Sequence, residues 1–333
     1  MVWHVYLSAV VPRLVFILHT VFAVWRVVKA KNDTMYWLLL LLTLLILVEM
    51  IVTITIQKGA DYKGFSPALF FYLINIIPPI WILEICQLEK MRNDECVSKN
   101  NSTCMYDIRP TGSLDAERNT NPSSTGNSDI FQNFDWILGL HQILLIVLII
   151  GKWILPLGIG VNRDQLSQLL LMFVGTAADI LEFKSETQSH TGVRCCLELV
   201  YAILALWTWS MLQFPLDLAV QQREDAEVPG HHTPLWKAQL YKYSADLWNI
   251  SISIFIQDGP FLVFRLFLML SRKINHQMLL FFTIKNSLVL ILQIYRLVVI
   301  YLELRHPQRR ESHKTTVTNV ASTIEMEDVD VDE

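Results

Sequence analysis

Ionisable side chains set deep inside long apolar stretches are the residues of this chain whose chemistry needs explaining. The densest group is Gln257-Asp258-Gly259-Pro260. A proline in mid-helix deletes a backbone hydrogen bond, so Gly259-Pro260 predicts a broken helix, with carbonyls and N–H groups released beside the Asp258 carboxylate. Helices broken at that depth hold solutes or ions. Arg265 follows Asp258 by seven residues, which puts it on the same helix face about 10 Å along. Lys285-Asn286 offers a cation for Asp258 or for the acids Asp179 and Glu182. Those two acids are three residues apart and share one face, and paired carboxylates suit proton handling. The blander alternative is a kinked helix whose Asp258 is neutralised by a neighbouring Lys or Arg. Arg13, Glu49, Glu84, Glu198, Arg296, His19 and His141 complete the set, with Glu84, Glu182 and Glu198 close enough to helix ends to snorkel.

Enzyme signatures are missing. The chain has no His-Glu-x-x-His, no Gly-x-Ser-x-Gly and no phosphate loop. A zinc site would need helices carrying His19, His141 and Asp179 to converge, and His231-His232 sits in a proline-flanked loop. The expectation is therefore a non-enzyme with no catalytic residues, no metal and no cofactor.

These charges must be positioned by membrane helices. Of 333 residues, 53% are hydrophobic and 17% charged, and the mean hydropathy is +0.37. That leaves too little polar surface to cover soluble cores of this size, which excludes a soluble enzyme and a nucleic-acid binder. The partner implied is the lipid bilayer. Eight stretches carry the roughly 20 apolar residues a crossing requires, at about 5–28, 35–56, 67–87, 136–157, 166–183, 195–214, 247–270 and 277–304. The fold expected is an all-α integral membrane protein, an eight-helix transmembrane bundle over 1–304. Leu38 to Val48 makes the second span strong enough to carry Glu49. The fifth is the weakest, because Gly175, Asp179 and Glu182 dilute it, so it inserts only beside its neighbours. Corresponding polar residues after Pro78-Pro79 (Glu84) and after Gly259-Pro260 (Arg265) hint at a 4+4 internal repeat.

Residues 88–135 read as one long flexible lumenal or extracellular loop, rich in Asn, Ser, Thr, Pro and Gly. It carries overlapping glycosylation sequons at Asn100 and Asn101, and Cys96 and Cys104 are spaced to close a disulfide around them. Cys86 is expected either to reach Cys195 or Cys196 or to be a small apolar residue at a helix end, as are the other two. The tail 305–333 reads as disordered and cytosolic, ending in EMEDVDVDE. Lys and Arg number eleven in the segments on the side of the termini against seven opposite, counting Lys152 and Lys184, which favours cytosolic N- and C-termini.

Several strings then become informative: HTVFAVWRV (19–27), FSPALFFYLI (65–74), RDQLSQLLLMFVGTAADILEF (163–183), YAILALWTWSMLQFPLDLAV (201–220), YSADLWNISISIFIQDGPFLVFRL (243–266) and KNSLVLILQIYRLVV (285–299). Through them the chain resembles the transmembrane protein 26 family. The resemblance implies a multi-pass helical membrane protein and brings no mechanism. Two functions stay open. One is a transporter or channel for a small solute, ion or proton, built on the broken seventh helix. The other is a receptor-like or adaptor protein that acts through the external loop and a protein partner at the cytosolic tail.

Overall fold

A computed structural model describes residues 2–56, 65–91, 126–155, 163–189, 193, 196–216, 243, 246–272 and 277–305. Among these residues there is no strand. The helices are α1 Val2–Lys31, α2 Thr34–Thr55, α3 Pro67–Met91, α4 Gly126–Ile154, α5 Arg163–Ser189, α6 Leu197–Leu216, α7 Asp246–Ser271 and α8 Gln277–Arg305. Among the described residues seven of these contain stretches long and apolar enough to cross a membrane. The eighth crossing expected, on α5, is not among them, so the structure supports a multi-pass helical bundle with seven such helices.

Local chemistry sets the joints. Asn32 turns the chain out of α1 with φ 52°, a left-handed conformation that Asn tolerates better than most residues. Asp33 then caps α2, its carboxylate accepting from the Met35 N–H at 3.0 Å. α2 begins as a 3₁₀ helix over Thr34–Leu42 and continues as an α-helix from Thr43. α3 runs through Pro78 and Pro79 without interruption. α4 begins ten residues before the expected span and α3 ends four residues after its own. The loop expected at 88–135 is thus helical over 88–91 and 126–135, where no proline follows Pro122 to stop a helix from propagating. Cys96, Cys104, Asn100 and Asn101, and the tail beyond Arg305, lie outside the described residues. Neither Cys86 nor Cys196 is part of a disulfide.

Packing is sequential. α1 lies against α2, α3 and α4; α3 against α4 and α6; α4 against α5; α5 against α6 and α8; and α7 against α6 and α8. Phe16 of α1 stacks on Tyr72 of α3 at 4.4 Å, and Gly151 of α4 lets the Phe16 ring approach so closely that an added Cβ would stand 2.7 Å from it. Small residues at such crossings are how membrane helices gain contact in the absence of a hydrophobic drive between them. On the other side Phe183 of α5 stacks on Phe261 of α7 at 4.0 Å and 3°. Trp207 of α6 is fully buried between the halves. α2 and α8 are the least covered helices and present leucines, isoleucines and aromatic rings outward.

The expected break in the seventh helix does not occur. Over Ser253–Asp258 the backbone widens into a π-helical turn, and the chain re-enters α-helix at Gly259 with Pro260 in the first turn. The Gly259 N–H reaches back to the Ile254 carbonyl, five residues rather than four, and Pro260 sits where its missing N–H costs least. Gly259 is obligatory here: a Cβ would stand 2.5 Å from the Ile254 oxygen.

Candidate functional site

The residues singled out by sequence assemble along a polar seam between α5, α7 and α8. α5 supplies Asp179, Glu182 and Glu186, spaced three and four apart and therefore on one stripe. Lys285 of α8 donates to Asp179 Oδ1 at 2.5 Å and to Glu182 Oε2 at 3.0 Å. Of the two acidic partners open to it, Lys285 thus takes the α5 pair. Its side chain is 36% exposed, and those of Asp179 and Glu182 are 34% and 33% exposed, so this part of the seam opens sideways.

One turn further along, Arg265 of α7 donates through Nε and Nη2 to Glu186 Oε2 at 3.1 and 2.9 Å. The guanidinium lies between the rings of Phe183 and Phe282, 5.5 and 5.3 Å from their centroids, and is closed off. Arg265 therefore serves α5 rather than Asp258. Burying such a charge is tolerable only with a partner of this quality.

Asp258 stands near the middle of α7 and is held differently. Ser253 Oγ and Gln293 Nε2 both donate to its Oδ2 at 2.7 Å, and Gln293 Nε2 also donates to Ser253 Oγ at 3.0 Å. Ser253 and Asp258 are the two ends of the π-turn, and the widened turn is what brings a side chain five residues back into reach. Among the described residues no Lys, Arg or His lies within ion-pair distance of this carboxylate, although Lys285 and Asp179 act on it through space. Gln257 beside it accepts from Gln213 Nε2 of α6 at 2.6 Å. Asn286 is buried behind Lys285.

Two further buried clusters hold the bundle. Arg13 of α1 clasps Glu49 of α2, Nε to Oε2 at 2.7 Å and Nη2 to Oε1 at 2.6 Å; Nη1 donates to the Ala9 carbonyl, and Thr53 Oγ1 donates to Glu49 Oε1 at 2.9 Å. Lys184 of α5 donates to Glu84 of α3 at 3.1 Å and meets the His141 ring of α4. His141 Nδ1 lies 2.8 Å from the Ile137 carbonyl. We assign the ring proton to Nδ1, which leaves Nε2 to accept from the ammonium. Trp207 closes the cluster, its ring 5.5 Å from the Lys184 ammonium. Glu84 does not snorkel, and Lys184, counted above as a loop cation, is 1% exposed. Arg296 pairs with Asp246 at 3.4 Å near the membrane end of α8, and Glu198 sits exposed in the first turn of α6. His19 bonds Tyr72; it, His141 and Asp179 do not converge, and among the described residues no group of three His, Cys, Asp or Glu side chains is placed to hold a metal.

Sequence reasoning did not single out Glu186, Ser253 and Gln293. Glu186 lies beyond the expected end of the fifth span, but its distance of seven from Asp179 was readable. Gln293 stands eight after Lys285, two turns along the same face of α8. Chemically, the seam offers a ladder of carboxylates: one sealed by Arg265, two sharing one lysine on an open flank, and one at mid-depth bound only by neutral donors. A family model described as transmembrane protein 26 matches residues 3–296. No solved structure matches the chain.

Proposed function

The chain belongs to the transmembrane protein 26 family of multi-pass membrane proteins, and from its polar seam we propose that it is a transporter or channel for a small solute, ion or proton. The observation that carries this reading is Asp258, a mid-depth carboxylate on a π-turn whose only direct partners among the described residues are Ser253 and Gln293. Intramembrane carboxylates without a bonded cation mark ion and proton pathways, and π-turns inside α-helices collect at functional sites. The half-open Asp179–Glu182–Lys285 group continues the path toward one flank. The proton is the first permeant to test. Asp179 acts on Asp258 through space, so the two carboxylates are near enough to sense one another, whereas a larger solute requires the seam to part. The chain acts without covalent catalysis in this reading and needs no cofactor.

The reading carries a topology. α5 crosses with the other seven helices, making eight crossings with both termini on the cytosolic side. Residues 92–125 then face the lumen, with Asn100 or Asn101 glycosylated; digestion with an N-glycosidase should raise the mobility of the protein from cells. A receptor or adaptor role rests on the 88–135 segment and the tail, almost all of which lies outside the described residues.

The deciding experiment is proton flux in proteoliposomes holding a pH-sensitive dye, driven by a potassium diffusion potential set with valinomycin. The full chain should acidify or alkalinise the lumen faster than empty vesicles. Asp258→Asn should lower that rate at least tenfold while the protein still elutes as a folded species. Equal rates in the two proteins would exclude Asp258 from any proton path, and sodium-22 uptake then tests the cation arm in the same vesicles.

A further inference from the structure

Beside the Lys184–Glu84–His141 cluster, the last turns of α1 and α3 and the stretch of α4 from Trp136 enclose a cleft. Its walls include Phe22, Arg26, Leu83, Gln87, Lys90 and Trp136, and it encloses about 70 Å³. That is room for several waters, hence for a compact polar group and not for a whole lipid. The Arg26 guanidinium stands over the Trp136 ring, 5.1 Å from its centroid. Lys29 lies over Trp25 at 5.5 Å just outside. Tryptophans and basic residues grouped at helix ends mark the level of lipid head groups.

The charge balance of the cleft is unlike that of the interior. Arg13, Lys184, Arg265 and Lys285 each meet a carboxylate. Arg26 and Lys90 do not: among the described residues neither has an acid within ion-pair distance. Glu89, next to Lys90 in the chain, pairs with Lys31 at 3.6 Å. Two unneutralised cations thus face one small cleft whose walls are otherwise mainly apolar, among them Phe22, Leu83, Ile137 and Leu140. Beyond its mouth Phe22 and Leu18 lie exposed along the bilayer face of α1, where an acyl chain would run.

We propose that this cleft binds the phosphate of an anionic phospholipid from the adjoining leaflet. The Arg26 fork takes two phosphate oxygens, its plane set by Trp136, and Lys90 adds a point charge from α3. Basic pockets between helix ends recognise anionic head groups by this chemistry. A bound lipid would tie α1, α3 and α4 together where the long 92–125 connection leaves the bundle. The inference uses none of the seam; in the topology set out above the cleft opens on the lumenal leaflet, and the lipid it binds is drawn from that side.

The test is the thermal midpoint of the purified full chain in detergent with added lipid, checked by native mass spectrometry for retained adducts. Phosphatidylglycerol should raise the midpoint by roughly 2–4 °C and leave one bound lipid. Arg26→Ala/Lys90→Ala should lose both effects, and it removes no buried ion pair, so it should fold. A charge-matched Arg305→Ala/Arg309→Ala protein should retain both effects; their loss there would mean general surface attraction and overturn the site. An equal shift with phosphatidylcholine overturns it as well. So does a shift with oleate in place of phosphatidylglycerol, which would assign the cleft to a free carboxylate amphiphile.

Discussion

Removing one partner of the Arg13–Glu49 clasp should be far more damaging than removing both. Arg13 is 0% and Glu49 6% exposed, and Arg13 is the eighth residue of its membrane-spanning stretch, about 10 Å in. In Glu49→Leu the guanidinium keeps only the Ala9 carbonyl and a 3.3 Å contact with Thr53, and the Thr53 hydroxyl loses its carboxylate acceptor. A buried charge deprived of its counterion costs about 3–5 kcal/mol. Arg13→Met alone strands the carboxylate and should cost the same range. In Arg13→Met/Glu49→Leu the two side chains are apolar, of similar volume and packed against each other, so the loss should fall to about 1–2 kcal/mol. Steric-trap unfolding in bicelles would give the four free energies of the cycle. The double variant should be at least about 3 kcal/mol more stable than the sum of the single losses predicts. Additive losses, or single losses below about 1 kcal/mol, would falsify the claim that this pair is dry and mutually dependent.

Other perturbations follow from the same geometry. Gly259→Ala should cost about 2–4 kcal/mol, because its Cβ would stand 2.5 Å from the Ile254 carbonyl; an unchanged thermal midpoint would mean the π-turn is dispensable. Lys184→Met should destabilise by about 3–5 kcal/mol by removing the buried ammonium that Glu84 and His141 both meet, with partial recovery in Lys184→Met/Glu84→Leu, read by the same unfolding assay. Arg265→Ala should be costlier than Lys285→Ala, since the first pair is sealed and the second is about a third exposed and screened; the reverse order in midpoint shifts would contradict the burial described.

Much of the bundle was readable because membrane helices must satisfy their own backbones, so apolar run length is a nearly direct signal. Pairing was less legible. Heptad spacing put Arg265 on Asp258's side of α7, yet its guanidinium turns to Glu186, because a residue on one helix says nothing of which neighbour presents a partner. Lys184 looked like a loop cation since two acids and a Ser surround it in sequence; only the packing of α3, α4 and α6 around α5 buries it. The break expected at Gly259-Pro260 failed for a local reason. A helix answers a proline by widening as well as by breaking, and Ser253 gives the widened turn its side-chain lock.

The ion pairs also fix an order of manufacture. Arg13 and Glu49 are 36 residues apart, so the second helix leaves the ribosome with its counterion already waiting. α5 enjoys no such arrangement: Glu186 waits 79 residues for Arg265, and Asp179 waits 106 for Lys285. At translation rates of about 5–20 residues per second, that is roughly 4–20 s in which its acids have no α7 or α8 to answer them. In the eight-crossing topology proposed above, a nascent α5 would carry these acids unpaired through that interval and should enter lipid only once the last hairpin emerges. Truncation after residue 245 should accordingly leave α5 outside the bilayer even though its own sequence is complete.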